Sequence, residues 1–108
     1  MTLARLEFRE AAVADLLQIH THLQEEASLP LADRFLMAVE HTTQQIRRYP
    51  NAGALFRTLK PSLLGLRWWS VADFPRYLVY YSAGTDFVDI VRVLHSARDV
   101  KRELRKAT

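Results

Sequence analysis

Apolar and polar positions repeat with two different periods along this 108-residue chain. In residues 3–8, Ala4, Leu6 and Phe8 fall on one side and Leu3, Arg5 and Glu7 on the other, the two-residue period of a short strand. From about Glu10 to Glu26 the period lengthens. Val13, Leu16, Leu17, His20 and Leu23 recur at spacings of three and four, which predicts a helix with that stripe turned inward. Ser28-Leu29-Pro30 interrupts it, because proline cannot continue the helical ladder. A second helix is predicted from about Pro30 to Tyr49, with Ala32, Phe35, Leu36, Val39, Thr43 and Ile46 as its stripe. Pro50 ends it by restricting Tyr49.

Residues 50–65 carry Pro and Gly breaks and no clean period, so they read as an irregular connection. Three strands rich in aromatic and β-branched residues follow, at about Leu66–Val71, Arg76–Ser82 and Phe87–Leu94. Asp73-Phe74-Pro75 and Ala83-Gly84-Thr85-Asp86 are short enough for hairpin turns, so an antiparallel meander is expected. Residues 97–106 read as a terminal helix, with Ala97, Val100 and Leu104 in line. The order β-α-α-β-β-β plus a helical tail predicts an α+β fold, a helical hairpin on one face of a small antiparallel sheet.

Both sheet faces are apolar. In the last strand Val88, Ile90, Arg92 and Leu94 share one face, and Phe87, Asp89, Val91, Val93 and His95 the other. Adjacent Trp68 and Trp69 must point to opposite faces. Two helices cover one face only. The second is expected to be covered by a partner protein or a second copy, or by the tail folded back on it.

Composition adds exclusions. Hydrophobic residues at 49% and charged residues at 25% describe an ordinary globular chain, and one domain is expected over residues 1–108. The absence of cysteine rules out disulfides and thiolate metal sites and fits a reducing compartment. No apolar run is long enough to span a bilayer, and the charged N-terminus lacks a signal-peptide core, so a cytoplasmic protein with no membrane partner is expected. The four histidines show no ligand spacing, and no phosphate loop is present, so neither metal nor cofactor is expected. The net charge is +3, unevenly spread: −4 over residues 1–46, +5 over 47–76, −1 over 77–97 and +3 over 98–108. Two basic segments in one chain suit an acidic partner or a nucleic-acid complex.

Phe87–Asp99, FVDIVRVLHSARD, following the strand Tyr77-Leu-Val-Tyr-Tyr81, resembles the C-terminal motif of ParE-type toxins in the RelE/ParE superfamily of bacterial toxin–antitoxin (plasmid stabilization) modules. Ala11–Leu17, Ala32–Ala38, the turn Arg48-Tyr-Pro-Asn-Ala-Gly53, Leu66-Arg67 and Arg76-Tyr77-Leu78 are similar to further pieces of that family, in the same order. The resemblance implies a toxin neutralised by a ParD-like antitoxin from the same operon. It implies that ParE-like members trap DNA gyrase with cleaved DNA, whereas RelE-like members cut mRNA on the ribosome. Under the first reading, Arg98, Lys101, Arg102 and Arg105 are the expected target-binding residues, and nucleic acid is met only through the target complex. Trp68, Trp69, Tyr77, Tyr81 and Phe87 are the expected antitoxin-binding residues.

The residues bear on the choice between branches. Metal-independent RNA cleavage needs a base, an acid and cations for the phosphorane. Sheet-borne candidates are Arg67, Arg76, Arg92 and His95, of which only His95 transfers protons near neutral pH. A second acid–base group is missing unless Tyr77 or Tyr81 serves. Gyrase inhibition is therefore the favoured expectation, with Arg67, Arg76 and His95 as the site if the chain is a ribonuclease. A binding module without toxicity is the third alternative.

Overall fold

The computed structural model describes residues 3–106; residues 1–2 and 107–108, the ends of the expected domain, lie outside the described residues. The elements run β1 (Arg5–Phe8), α1 (Glu10–Glu26), α2 (Leu29–Arg48), β2 (Ala54–Leu55), β3 (Arg67–Val71), β4 (Phe74–Ala83), β5 (Phe87–His95) and α3 (Val100–Lys106), with a single 3₁₀ turn at Pro61–Leu63. The α+β class and the helical hairpin are as the sequence predicts.

Local chemistry fixes the helix ends. Ser28 caps α2 by accepting a hydrogen bond from Leu31 N–H at 3.2 Å, and Pro30 occupies the first turn where no N–H is needed. Arg47 and Arg48 close α2 where cations meet its exposed carbonyls, and Arg47 Nε donates to Ala4 C=O at 2.8 Å, tying the helix end to the start of β1. On α1 the buried positions are Ala12, Asp15 and Ile19, whereas Val13 and Leu17 of the expected stripe are exposed. The helix is thus rotated relative to a purely apolar reading, because a carboxylate occupies an inward position.

The sheet is five-stranded and mixed, in the order β1-β5-β4-β3-β2. The expected all-antiparallel sheet is corrected at one edge: β1 pairs parallel to β5, Leu6 opposite Val88 and Phe8 opposite Ile90. The connection from β1 to β5 runs through the helical hairpin and then β2–β4, so the chain returns to β1 in the same direction. The 50–65 connection contains a short edge strand, β2, which pairs with β3. The β3–β4 turn is Ala72-Asp73, with Asp73 in the left-handed region at φ 66°, a conformation Asp tolerates. Pro75 follows where the β3–β4 register shifts, so its missing N–H breaks no regular ladder.

A bulge reassigns the faces of β5. Tyr80 opposes Arg92 and Tyr81 opposes Ile90, which leaves Val91 as an extra residue. Val88, Ile90 and Val93 therefore join the main core under α1 and α2, with Phe35, Ile46, Val79 and Tyr81, while Val91 and Leu94 face the other way. Strict alternation across this strand, as expected from sequence, fails at Val91.

The second face is covered by the chain itself. Leu63 and Leu66 of the connection and Leu104 of α3 pack with Tyr80, Val91 and Leu94, and Trp68, Leu78, Phe56 and Val100 surround them. Of the three coverings expected for this face, a partner protein, a second copy or the tail, the structure shows the folded-back tail. Burial pushes the Tyr80 phenol up to about 12. A raised phenol leaves stability intact below its ordinary value of 10.0 and withdraws it as the pH rises from there through about 12, since the unfolded chain ionises first. Unfolding in urea at stepped alkaline pH should show that loss, on the order of 2 kcal/mol from Tyr80, and Tyr80→Phe should reduce it, leaving the smaller part due to Tyr77 and Tyr81, which burial also raises.

Candidate functional site

Three charged residues from distant parts of the chain hold α3 in place. Beyond Ile90, β1 no longer pairs with β5, and the Val93 N–H on that open edge donates instead to Asp15 Oδ2 at 2.9 Å. The same carboxylate takes a bidentate pair from Arg92, Nε to Oδ2 and Nη2 to Oδ1, each at 2.7 Å. Arg92 Nη1 donates to the Glu103 backbone C=O of α3 at 2.6 Å. All three residues are buried. The one negative charge they carry together is more than offset, because the Glu103 carboxylate also accepts from Lys106 at 2.9 Å and Arg98 at 3.2 Å. The hydrogen bond from Lys106 leads in holding the Glu103 carboxyl below its ordinary range, and the nearby Arg98 and Arg92 cations add to it. Arg92 is held above its ordinary value, chiefly by its hydrogen bonds to Asp15.

This clasp orients the tail. Asp99 caps α3, its Oδ1 accepting from Arg102 N–H at 3.2 Å, so the helix is shorter than the expected 97–106. With Leu104 and Val100 facing the sheet, Lys101, Arg102 and Arg105 stand on the solvent side. Arg98 is partly exposed and paired to Glu103. Of the four residues expected to meet a target, Lys101, Arg102 and Arg105 are exposed on α3, whereas Arg98 precedes the helix and lines the cleft beside His95.

The ribonuclease candidates are not brought together. His95 pairs across the sheet with Tyr77, whereas Arg67 pairs with Tyr81, four residues further along β4 and roughly 13 Å away at strand rise. Arg67 is committed to Gly53 C=O, donated from Nη1 at 2.7 Å. Arg76 is exposed and adjacent to Tyr77 in the strand, so it projects from the opposite face. Arg92 is buried in the clasp. The two tyrosines considered as proton-transfer partners are pushed up by burial, which makes them weaker acids and leaves still less phenolate to act as a base. His95 Nδ1 accepts from Ala97 N–H at 3.0 Å, and its ring meets Tyr77 edge-on at 4.9 Å. It lines a cleft of about 300 Å³ with Tyr77, His22 and Arg98, and neither Arg67 nor Arg76 reaches that cleft.

A family model described as the ParE toxin of the type II toxin–antitoxin system parDE matches residues 6–100. The chain belongs to the ParE toxin family. The match runs from β1 to the first residue of α3. A solved structure of the chromosomal ParDE system from P. aeruginosa shares the fold, with a TM-score of 0.70 at 17% identity, covering 86% of this chain and 96% of that one. No curated protein matches the sequence. No helix among the described residues is long and apolar enough to cross a membrane.

In this ParE-family chain the aromatic residues expected to bind an antitoxin are split between faces. Trp69, Tyr77 and Tyr81 belong to the core under the helices, and Trp68 to the cluster under α3. Tyr81 is fully buried, donating to Pro50 C=O at 2.8 Å and accepting from Gly53 N–H at 3.0 Å, so it presents no surface to a partner. Phe87 is 37% exposed beside Gly84. Arg67 and Arg76 do not pair with Asp89, as their hairpin positions suggest they could; Arg9 does, at 2.7 Å. The Asp15–Arg92–Glu103 clasp was missed in the sequence. Its signal is a carboxylate in the inward line Ala12-Asp15-Ile19 and one arginine inside an otherwise apolar strand.

Proposed function

We propose that this toxin-family chain arrests growth by engaging DNA gyrase through the cationic side of α3, holding the enzyme in its cleaved-DNA state, and that an acidic ParD-like partner neutralises it. The single observation that carries this reading is the placement of Lys101, Arg102, Arg105 and Arg98 on a tail clamped to the sheet by Arg92. A fixed cationic surface meets an anionic complex without first paying the entropy of ordering a loose tail. The dispersal of Arg67, Arg76 and His95 weighs against the ribonuclease reading. The solved ParDE relative supports a two-component system.

The experiment is expression of the chain without a partner, scored for growth, plasmid supercoiling and protein synthesis. Growth arrest with relaxed plasmids is expected. Prompt loss of translation with intact supercoiling would favour mRNA cleavage, and unimpaired growth would favour a non-toxic binding module. Lys101→Glu with Arg102→Glu should weaken the effect by about tenfold or more, since each reversal replaces attraction with repulsion. Both side chains are exposed, so the melting temperature should hardly change.

A further inference from the structure

One open groove adds residues 55–65, not so far discussed as a binding surface, to two of the tail cations, Lys101 and Arg105. It runs between the 55–65 segment and α3 and has a volume of about 940 Å³. Its walls are apolar at Leu55, Phe56, Leu63 and Leu64. Leu59 stands at its lip and is 99% exposed; Leu55 and Leu64 are 58% and 65% exposed. Such a cluster of leucines in water is costly unless something covers it. The loop that presents Leu59 is hydrogen-bonded within itself, Lys60 N–H donating to Thr58 Oγ1 at 3.0 Å and Leu63 N–H to Lys60 C=O at 3.0 Å. Four cations also line the groove, Arg57 and Lys60 from the loop and Lys101 and Arg105 from α3, and no carboxylate does.

We propose that this groove takes an acidic peptide segment bearing leucine-like side chains, supplied by a protein partner. The cationic lining selects negative charge, and the leucine floor demands apolar side chains between the acids. Nucleic acid satisfies only the first requirement. The one aromatic ring in the walls, Phe56, is already engaged edge-on by Tyr80 at 6.0 Å and offers little stacking surface. The chemistry of the occupant stands on the groove alone; assigning it to the neutralising partner rests on the function proposed above. Under that assignment the occupant masks Lys101 and Arg105, so neutralisation and target binding exclude one another on α3.

The test is NMR titration of the full, isotope-labelled chain with three synthetic peptides. One places leucines at helical spacing among glutamates, one replaces every glutamate with lysine, and one replaces every leucine with serine. The glutamate–leucine peptide should give saturable shifts in residues 55–65 and 101–105. The lysine version should give none, and the serine version should bind about tenfold more weakly or worse. Leu59→Ser and Lys60→Glu should each weaken the first peptide by a similar factor without changing the melting temperature. Absence of saturable shifts at millimolar peptide, shifts confined to another surface, or equal binding of all three peptides overturns the proposal. So does a single-stranded oligonucleotide that shifts these amides more strongly than the peptide, or concentration-dependent shifts of the chain alone, which assign the groove to nucleic acid or a second copy. Growth arrest and supercoiling are scored separately, so loss of the gyrase reading leaves the groove result standing.

Discussion

Arg92→Leu should cost about 3–5 kcal/mol of folding stability, a large part of what a domain of this size has. The substitution leaves the Asp15 carboxylate buried, with the Val93 N–H as its remaining donor. It also strips the donor from the Glu103 backbone C=O on α3. An uncompensated buried charge is far more damaging than loss of the attraction itself. For a chain of about 100 residues each kcal/mol moves the midpoint by roughly 4–8 °C, so thermal unfolding should shift down by about 15 °C or more. Asp15→Leu should be similarly severe, since it strands a guanidinium. The double substitution should cost less than the two single costs added together, because two apolar side chains leave no orphaned charge. Strict additivity would contradict the clasp as described. Limited proteolysis adds a second readout, since α3 is held by Arg92 and should be cut sooner in the variant.

Gly53→Ala should cost about 2–3 kcal/mol despite adding a single methyl group. A Cβ at this position would stand 2.3 Å from Tyr81 Oη and 2.9 Å from its ring carbons. Tyr81 cannot swing away, because it has no exposed surface and its hydroxyl joins Pro50 C=O to Gly53 N–H. Arg67 fixes the same turn through Gly53 C=O. Tyr81→Phe alone should cost about 1–3 kcal/mol, for two polar backbone groups left without their partner. In a Tyr81→Phe background, Gly53→Ala should cost less than in the parent chain, since the nearest atom is gone. Gly84→Ala is the comparison. Its added methyl also meets a ring, that of Phe87, but Phe87 is at the surface and has room to move, so the cost should be smaller. Urea denaturation of the four variants measures all of this.

The elements were legible because their periods are clean. Residues 10–26 form a helix with the predicted bounds, and the second helix differs by one residue at each end. Ser28, Pro30 and Pro50 carried those boundaries through local chemistry. What failed depends on contacts between distant residues. The parallel pairing of β1 with β5 is a matter of topology, not of pattern. The bulge at Val91 reversed the faces of β5, because one extra residue undoes a period of two. Asp15 was unreadable as an inward residue without Arg92, which lies 77 positions away. Which of the three expected coverings closes the second sheet face was likewise undecided in the sequence, since α3 is seated there by Leu104 and Val100 together with the clasp. The basic tail was visible as composition, while its fixed orientation required Asp99, Arg92 and Leu104 together.

The most direct test mixes purified chain with DNA gyrase and supercoilable plasmid and measures linear, protein-linked DNA after detergent and protease treatment. The expected result is accumulation of cleaved DNA at micromolar toxin, weakened about tenfold or more by Lys101→Glu with Arg102→Glu while the variant melts like the parent. Unchanged supercoiling and no cleaved DNA with folded toxin, or equal activity of the charge-reversed tail, would contradict it.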